Sequence, residues 1–222
     1  MHIWDGVTPV EEIVQTLGNL VRIGKIRYYG LSDMPAWLAM KAATLASERR
    51  VPAPIAMQLE YSLVARDVES EHFPAAREDG MGVMPWSPLA GGFLSGKYQR
   101  GDTANTGRLS GANPFGDSKF SERNWDILDA LSAVAAELGR PMAQIALAWT
   151  LARRGVASTL VGATQILQLQ SNIAASNLQL DADQMERLNT ASAPVAGFSS
   201  GLITPAIRRT IFGGHEVMGW NE

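Results

Sequence analysis

Short apolar runs alternate along this chain with helix-length amphipathic stretches, and that alternation restricts the fold more than any other feature. The runs are Ile26–Leu31, Ile55–Leu59, Gly82–Trp86 and Thr159–Val161, with a stub at residues 1–4. Each is followed by a stretch whose apolar residues recur at the helical period. A strand that returns to the same sheet through a helix lies parallel to its predecessor, and such a βα unit takes about 30 residues. Four strands and a stub fall short of the eight strands and about 250 residues of a closed barrel. The expected fold is therefore α/β, of the (β/α)8 TIM-barrel type. The pattern assigns roughly its second half, strands 4–8, to residues 1–193, and a C-terminal tail to residues 194–222. A doubly wound sheet competes, but no Gly-x-Gly-x-x-Gly follows any of the runs.

Local punctuation supports the units. Thr8 reads as a helix N-cap, Pro9 as the first helical residue, and Glu11 as the partner that closes a capping box, with Gly24 as the stop. A helix follows Pro35 and runs to about Arg49, and another ends near Gly80. Two more are expected at Ser121–Leu138 and Pro141–Arg154, and Asp181 with Gln184 marks a further capped start. Between Pro88 and Phe120 lies one long irregular stretch rich in Gly, Ser, Asn and Pro. A loop of that length inside a compact unit is usually functional or disordered.

Composition removes several function classes. With 46% hydrophobic and 18% charged residues, the chain can build a core and carries no disorder signature. A net charge of −3 gives no electrostatic reason to expect nucleic acid or an anionic membrane as partner. No apolar run approaches the ~20 residues of a membrane span. The absence of cysteine excludes disulfides and thiolate chemistry and fits a cytoplasmic protein. No His, Asp and Glu cluster has metal-ligand spacing, so no metal site is expected.

In a parallel barrel the reactive groups stand just after the strands. Those positions hold His2, Ser32 with Asp33, Gln58, and Trp86 with Ser87. Gly162-Ala163-Thr164 opens a helix bearing Gln168 and Asn172, a generic anion site because free N–H groups point outward there. Each has an ordinary structural reading as well. Ser32 and Gln58 can cap strand ends, Trp86 can be a core residue, and Arg108 can be a solvated loop charge.

Five strings occur in order: His2-Ile-Trp-Asp-Gly-Val-Thr-Pro-Val-Glu-Glu, Gly30-Leu-Ser-Asp, Gln58-Leu-Glu-Tyr-Ser-Leu, Trp86-Ser-Pro-Leu-Ala-Gly-Gly-Phe-Leu-Ser-Gly-Lys-Tyr and Leu160-Val-Gly-Ala-Thr. Together, from His2 to about Asn189, they resemble the aldo-keto reductases, in particular bacterial members close to the β-subunits of voltage-gated potassium channels. The resemblance implies an NADP(H)-dependent oxidoreductase that reduces a small-molecule aldehyde or ketone. It implies that His2 donates to the substrate carbonyl. Ser32, Asp33 and Gln58 then hold the nicotinamide carboxamide, Asp33 standing where many relatives have Asn, and Trp86 stacks on the ring. Ser87, Leu89, Gly91, Ser95 and Lys97 form the pyrophosphate strap, and Arg108 of the long loop compensates for the charge that Thr164 lacks at the 2′-phosphate. Gly162, Thr164, Gln168 and Asn172 approach the adenosine 2′-phosphate, with Thr164 where many relatives have Arg.

The family's proton donor is a Tyr tuned by a Lys and an Asp, all upstream of the His; Tyr28, Tyr29, Tyr61 and Tyr98 lie in other motifs. Two rival expectations follow, a non-catalytic dinucleotide-binding or interaction module and a truncated product. Exposed half-barrel edges also make a homo-oligomer an expected partner state.

Overall fold

A computed structural model describes residues 1–101, 109, 119–195, 197, 201–202 and 204–215. Three parallel strands, β1 (Gly30–Ser32), β2 (Ala56–Glu60) and β3 (Gly82–Trp86), lie in that order across one sheet. Helix α1 (Val10–Arg22) precedes β1, α2 (Ala36–Glu48) connects β1 to β2, and α3 (His72–Glu78) connects β2 to β3. After β3 come α4 (Glu122–Leu138), α5 (Met142–Leu151), α6 (Ile166–Ala174), α7 (Ala182–Ala191) and α8 (Pro205–Ile211). Parallel bridges extend the sheet at both edges, His2 to Ser32 on one side and Val156 to Val83 on the other. This α/β arrangement is what part of a parallel barrel requires.

The two-residue period of the strands sorts their side chains onto opposite faces. Leu31, Met57, Leu59 and Val83 are at most 3% exposed and pack against Val14, Leu38, Ala42 and Ala76 of the helices. Burying each such side chain stabilises the fold by about 1.5–3 kcal/mol. The other face carries rows set by the register: Gly30, Ala56 and Gly82, then Ser32, Gln58 and Met84, then Glu60 and Trp86. Gly30 is required in its row, because a Cβ there would lie 2.8 Å from the Ala56 carbonyl oxygen.

A second apolar core is helical, built from Tyr61, Phe93, Trp125, Leu131, Trp149 and Leu188. Ser121 caps α4 by accepting from the Asn124 amide at 3.3 Å, and Gly139 ends it at φ +59°. Every residue of α5 from Gln144 to Thr150 is buried, so this helix is enclosed on all sides rather than amphipathic. The capping box at Asp181 and Gln184 forms as expected at the start of α7.

Local structure departs from the sequence reading in five places. The Thr8 hydroxyl donates to Asp5 at 2.5 Å instead of capping, and Pro9 is itself the N-cap residue of α1, so no capping box closes. Gly24 does stop the helix, at φ +72°, with Gly24 and Lys25 amides donating to Val21 and Leu20. That reversal takes up Lys25 and Ile26, and the first full strand is shortened to Gly30–Ser32. The strand expected at Thr159–Val161 does not form. Val83 donates to the Gly155 carbonyl and accepts from the Ala157 amide of the edge segment, but the next bond runs from the Leu160 amide to the Pro85 carbonyl. Pro85 has no N–H to continue the ladder, and three residues of the edge segment span two of β3. Helix α5 stops at Leu151, and the tail contains the short helix α8, capped by Thr204.

Helix α6 has helical apolar spacing yet buries none of its residues. Ile166 and Leu167 are each 76% exposed, with Leu169 and Ile173 also exposed. Among the described residues no helix is long and apolar enough to cross a membrane.

Candidate active site

The strand rows converge at the C-terminal end of the sheet. There the ends of β1, β2 and β3 are tied to one another by polar bonds. The Asp33 amide donates to the Gln58 carbonyl at 3.0 Å, and the Trp86 indole N–H donates to Asp33 Oδ1 at 2.9 Å. Asp33 holds φ +49° and Ser87 φ +53°, conformations that cost a non-glycine residue energy and that cluster at functional sites. The bond to Asp33 satisfies the only polar atom of Trp86, and it fixes the plane of the ring beside Gln58 and Glu60. His2 Nδ1 lies 2.9 Å from Ser32 Oγ, which in turn lies 3.3 Å from Asp33 Oδ2. Its Nδ1 is thereby engaged, leaving Nε2 as the ring nitrogen that can serve a ligand.

A cleft of about 290 Å³ opens here, lined by His2, Asp33, Gln58, Glu60, Trp86, Ser87, Gly91 and Lys119, among others. Beyond Trp86 the chain makes a tight turn over Ala90–Ser95, with Gly91 at φ +66° and Gly92 at φ +95°. At both glycines the positive φ disfavours a side chain. A Cβ on Gly91 would meet Leu109 at 2.7 Å, and one on Gly92 would meet the Lys97 ammonium at 2.7 Å. The Ser87 hydroxyl accepts from the Gly91 amide at 3.2 Å, and Ser95 donates to the Gly92 carbonyl at 2.7 Å. The result is a glycine cradle with an exposed cation, Lys97, folded over it.

Most expected site residues therefore meet. His2, Asp33, Gln58, Trp86, Ser87 and Gly91 surround one opening; Ser32 does not line it but holds His2, and Ser95 and Lys97 lie on the adjoining turn. Leu89 packs instead against the helical core. Gly162, Thr164, Gln168 and Asn172 do not line that cleft; Gly162 and Thr164 precede α6, Gln168 lies in its first turn and Asn172 in its last. Both the amide and the hydroxyl of Thr164 face Gln168 Oε1, at 3.2 and 3.3 Å, so the helix end is closed by its own side chain. Arg108 lies outside the described residues. Among the described residues no cluster could hold a metal ion.

Two features escaped the sequence reading. Lys119, only 9% exposed, pairs with Glu60 at 2.7 Å in the cleft wall. At the helical core, Arg66 grips Glu69 through two bonds of 2.9 Å, while Arg153 donates to the Tyr61 hydroxyl at 3.1 Å. Both guanidinium groups lie 5.2 Å from the Trp149 ring centre. Burial, reinforced by the hydrogen bond to Glu69, pushes the Tyr61 hydroxyl far above its usual range. Burial also acts to raise Glu69, but the hydrogen bonds from Arg66 and Tyr61 prevail and hold it below its ordinary 4.5.

Residues 1–193 match the model of the aldo/keto reductase family. The chain belongs to that family. The uncharacterized oxidoreductase YrpG of Bacillus subtilis is 35% identical over 189 residues, covering 85% of this chain and 56% of that protein. A probable voltage-gated potassium channel subunit beta of Arabidopsis thaliana is 35% identical, covering 78% of this chain and 54% of that one. A probable aryl-alcohol dehydrogenase of Saccharomyces cerevisiae is 32% identical, covering 94% and 64%. The chain thus spans a little over half the length of the curated relatives it matches. Within the aldo/keto reductase match lie the strand-end cleft, the glycine cradle and helix α6.

Proposed function

We propose that the chain forms the cofactor-binding half of an aldo/keto reductase, strands 4–8 of its barrel, and serves NADP(H)-dependent reduction of a small aldehyde or ketone. The observation that carries this reading is the cleft itself. A flat indole, pinned at a strand end by Asp33, stands between carboxamide-sized polar groups and a glycine cradle under a lysine. A nicotinamide dinucleotide has matching parts, a flat ring with a carboxamide and then a diphosphate. Its chemistry, when bound, is hydride transfer.

The chain's own residues do the rest. Trp86 offers the ring a flat wall, and Gln58 and Ser32 supply donor and acceptor groups for the carboxamide. The bare backbone of Gly91 and Gly92 admits the diphosphate closely, and Lys97 supplies its charge. His2, held through Nδ1 by Ser32, presents Nε2 to the substrate carbonyl oxygen and orients it. At the start of α6 the Gln168 side chain swings off Thr164 to admit the adenosine 2′-phosphate. The protein works in the cytoplasm and associates with its own kind through exposed sheet edges and the apolar surface of α6. Light scattering at a dimer mass supports that association, and a monomer at micromolar concentration refutes it.

Titration with NADPH tests the cofactor reading. Saturable quenching of tryptophan fluorescence is expected, reduced in Trp86→Phe and weaker for NADH. Unchanged fluorescence together with no calorimetric heat at millimolar NADPH would remove it.

A further inference from the structure

Lys119 is an unusual cation. It is nine-tenths buried, and its ammonium donates to Glu60 Oε1 at 2.7 Å and to no other group among the described residues. An ammonium has three donors, so two remain. Both members of the pair line the same cleft as Gln58, Trp86, Ser87 and Gly91. A buried ion pair is a weak source of stability, since apolar residues of the same size do as well or better. Its position is nonetheless held firmly. The Lys119 carbonyl accepts from Asn124 Nδ2 at 3.1 Å, and the next residue, Phe120, stacks on Trp125 with ring centres 6.0 Å apart. The side chain is thus fixed at both ends, by its backbone and by Glu60, with donors to spare.

We propose that Lys119 is a binding residue for the diphosphate of the dinucleotide, on the nicotinamide side, with Glu60 as the group that positions it. This rests on the cofactor reading above. The covalent order of the ligand places its first phosphate one ribose beyond the nicotinamide ring. A ring at Trp86 and Gln58 with a diphosphate over Gly91 therefore carries that phosphate along the cleft wall occupied by Lys119. The two unused N–H groups donate to phosphate oxygens. Glu60 keeps the ammonium aimed across the cleft and balances it when no ligand is bound. Lys97 on the exposed turn and Lys119 on the buried wall then hold the diphosphate between them.

The test uses the full chain and three probes: NADPH, nicotinamide mononucleotide and nicotinamide riboside, the last two differing by one phosphate. Three proteins are compared: the natural chain, Lys119→Met, and Glu60→Gln with Lys119→Met. The double variant removes the pair without leaving a buried carboxylate alone, so a matching unfolding midpoint shows that lost binding is not lost folding. The natural chain should bind the mononucleotide more tightly than the riboside, by roughly 10–100-fold, the range of a charge-assisted hydrogen bond. Both variants should lose that difference, and salt should weaken the natural chain's mononucleotide binding more than theirs. NADPH and mononucleotide affinities unchanged in both variants would overturn the role of Lys119 and leave the cofactor reading standing. No binding of any probe by the natural chain would overturn both.

Discussion

Replacing Arg66 by Met should destabilise the protein by about 3–5 kcal/mol, the usual cost of breaking one side of a buried ion pair. Met keeps most of the apolar stem that lies against Trp149 and removes only the charged head. That head makes two bonds of 2.9 Å to Glu69, one of 3.0 Å to the Asn189 carbonyl and one of 2.7 Å to Ser192 Oγ. Arg66 is 7% exposed, so water cannot replace those bonds freely. Glu69 would keep Arg153 at 3.2 Å and the Tyr61 hydroxyl, a partial compensation that places the loss toward the lower end of the range. A total stability of about 5–15 kcal/mol is usual for a folded domain, so the loss is a large fraction of it. Urea unfolding followed by circular dichroism measures the change. Adding Glu69→Met to the Arg66→Met protein should recover only part of it, because the carboxylate left short of one cation is removed while Arg153 and the Tyr61 hydroxyl each lose a partner. A single variant within 0.5 kcal/mol of the natural protein would refute the reasoning, as would a double variant less stable than the single.

Three further outcomes are expected. Glu69 has its folded pKa lowered below 4.5, so its stabilising contribution is present above that value and is lost as pH falls through the folded pKa; acid unfolding curves should show this loss, and Glu69→Gln should flatten it. Lys97→Ala should weaken NADPH binding by about 1–3 kcal/mol in calorimetry while leaving the unfolding midpoint nearly unchanged, because the side chain is exposed. Asp181→Ala should lower stability by about 0.5–2 kcal/mol in the same urea assay, through loss of the 2.8 Å bond that the Gln184 amide donates to the Asp181 carboxylate.

What could be read from the sequence was whatever is encoded locally. β3 was legible at both ends because a Gly82 start, an apolar run and Trp86 stand together, and the capping box at Asp181 needs only residues three apart. The cleft residues were legible through strand ends, since a parallel sheet puts chemistry there whatever the loops do. The edge strand at Thr159–Val161 was misread because its fate depends on a distant partner: Pro85 cannot donate the bond that would continue the ladder. Thr8 was misread because Asp5, three residues earlier, competes for its hydroxyl. The clasp is local only in its Arg66–Glu69 pair, three residues apart; Arg153 and Ser192 join it from far along the chain, which no local pattern shows. Lys119 was hidden for the same reason, at the end of a polar loop where a lysine reads as a solvated charge.

Crystals grown with NADP+ test the central claim most directly. In such crystals the nicotinamide ring should lie on the indole of Trp86, its carboxamide at Gln58 and Ser32, and the diphosphate over Gly91 and Gly92 beneath Lys97. A dinucleotide seated elsewhere, or a cleft empty at saturating cofactor with Trp86 still bonded to Asp33, would contradict it.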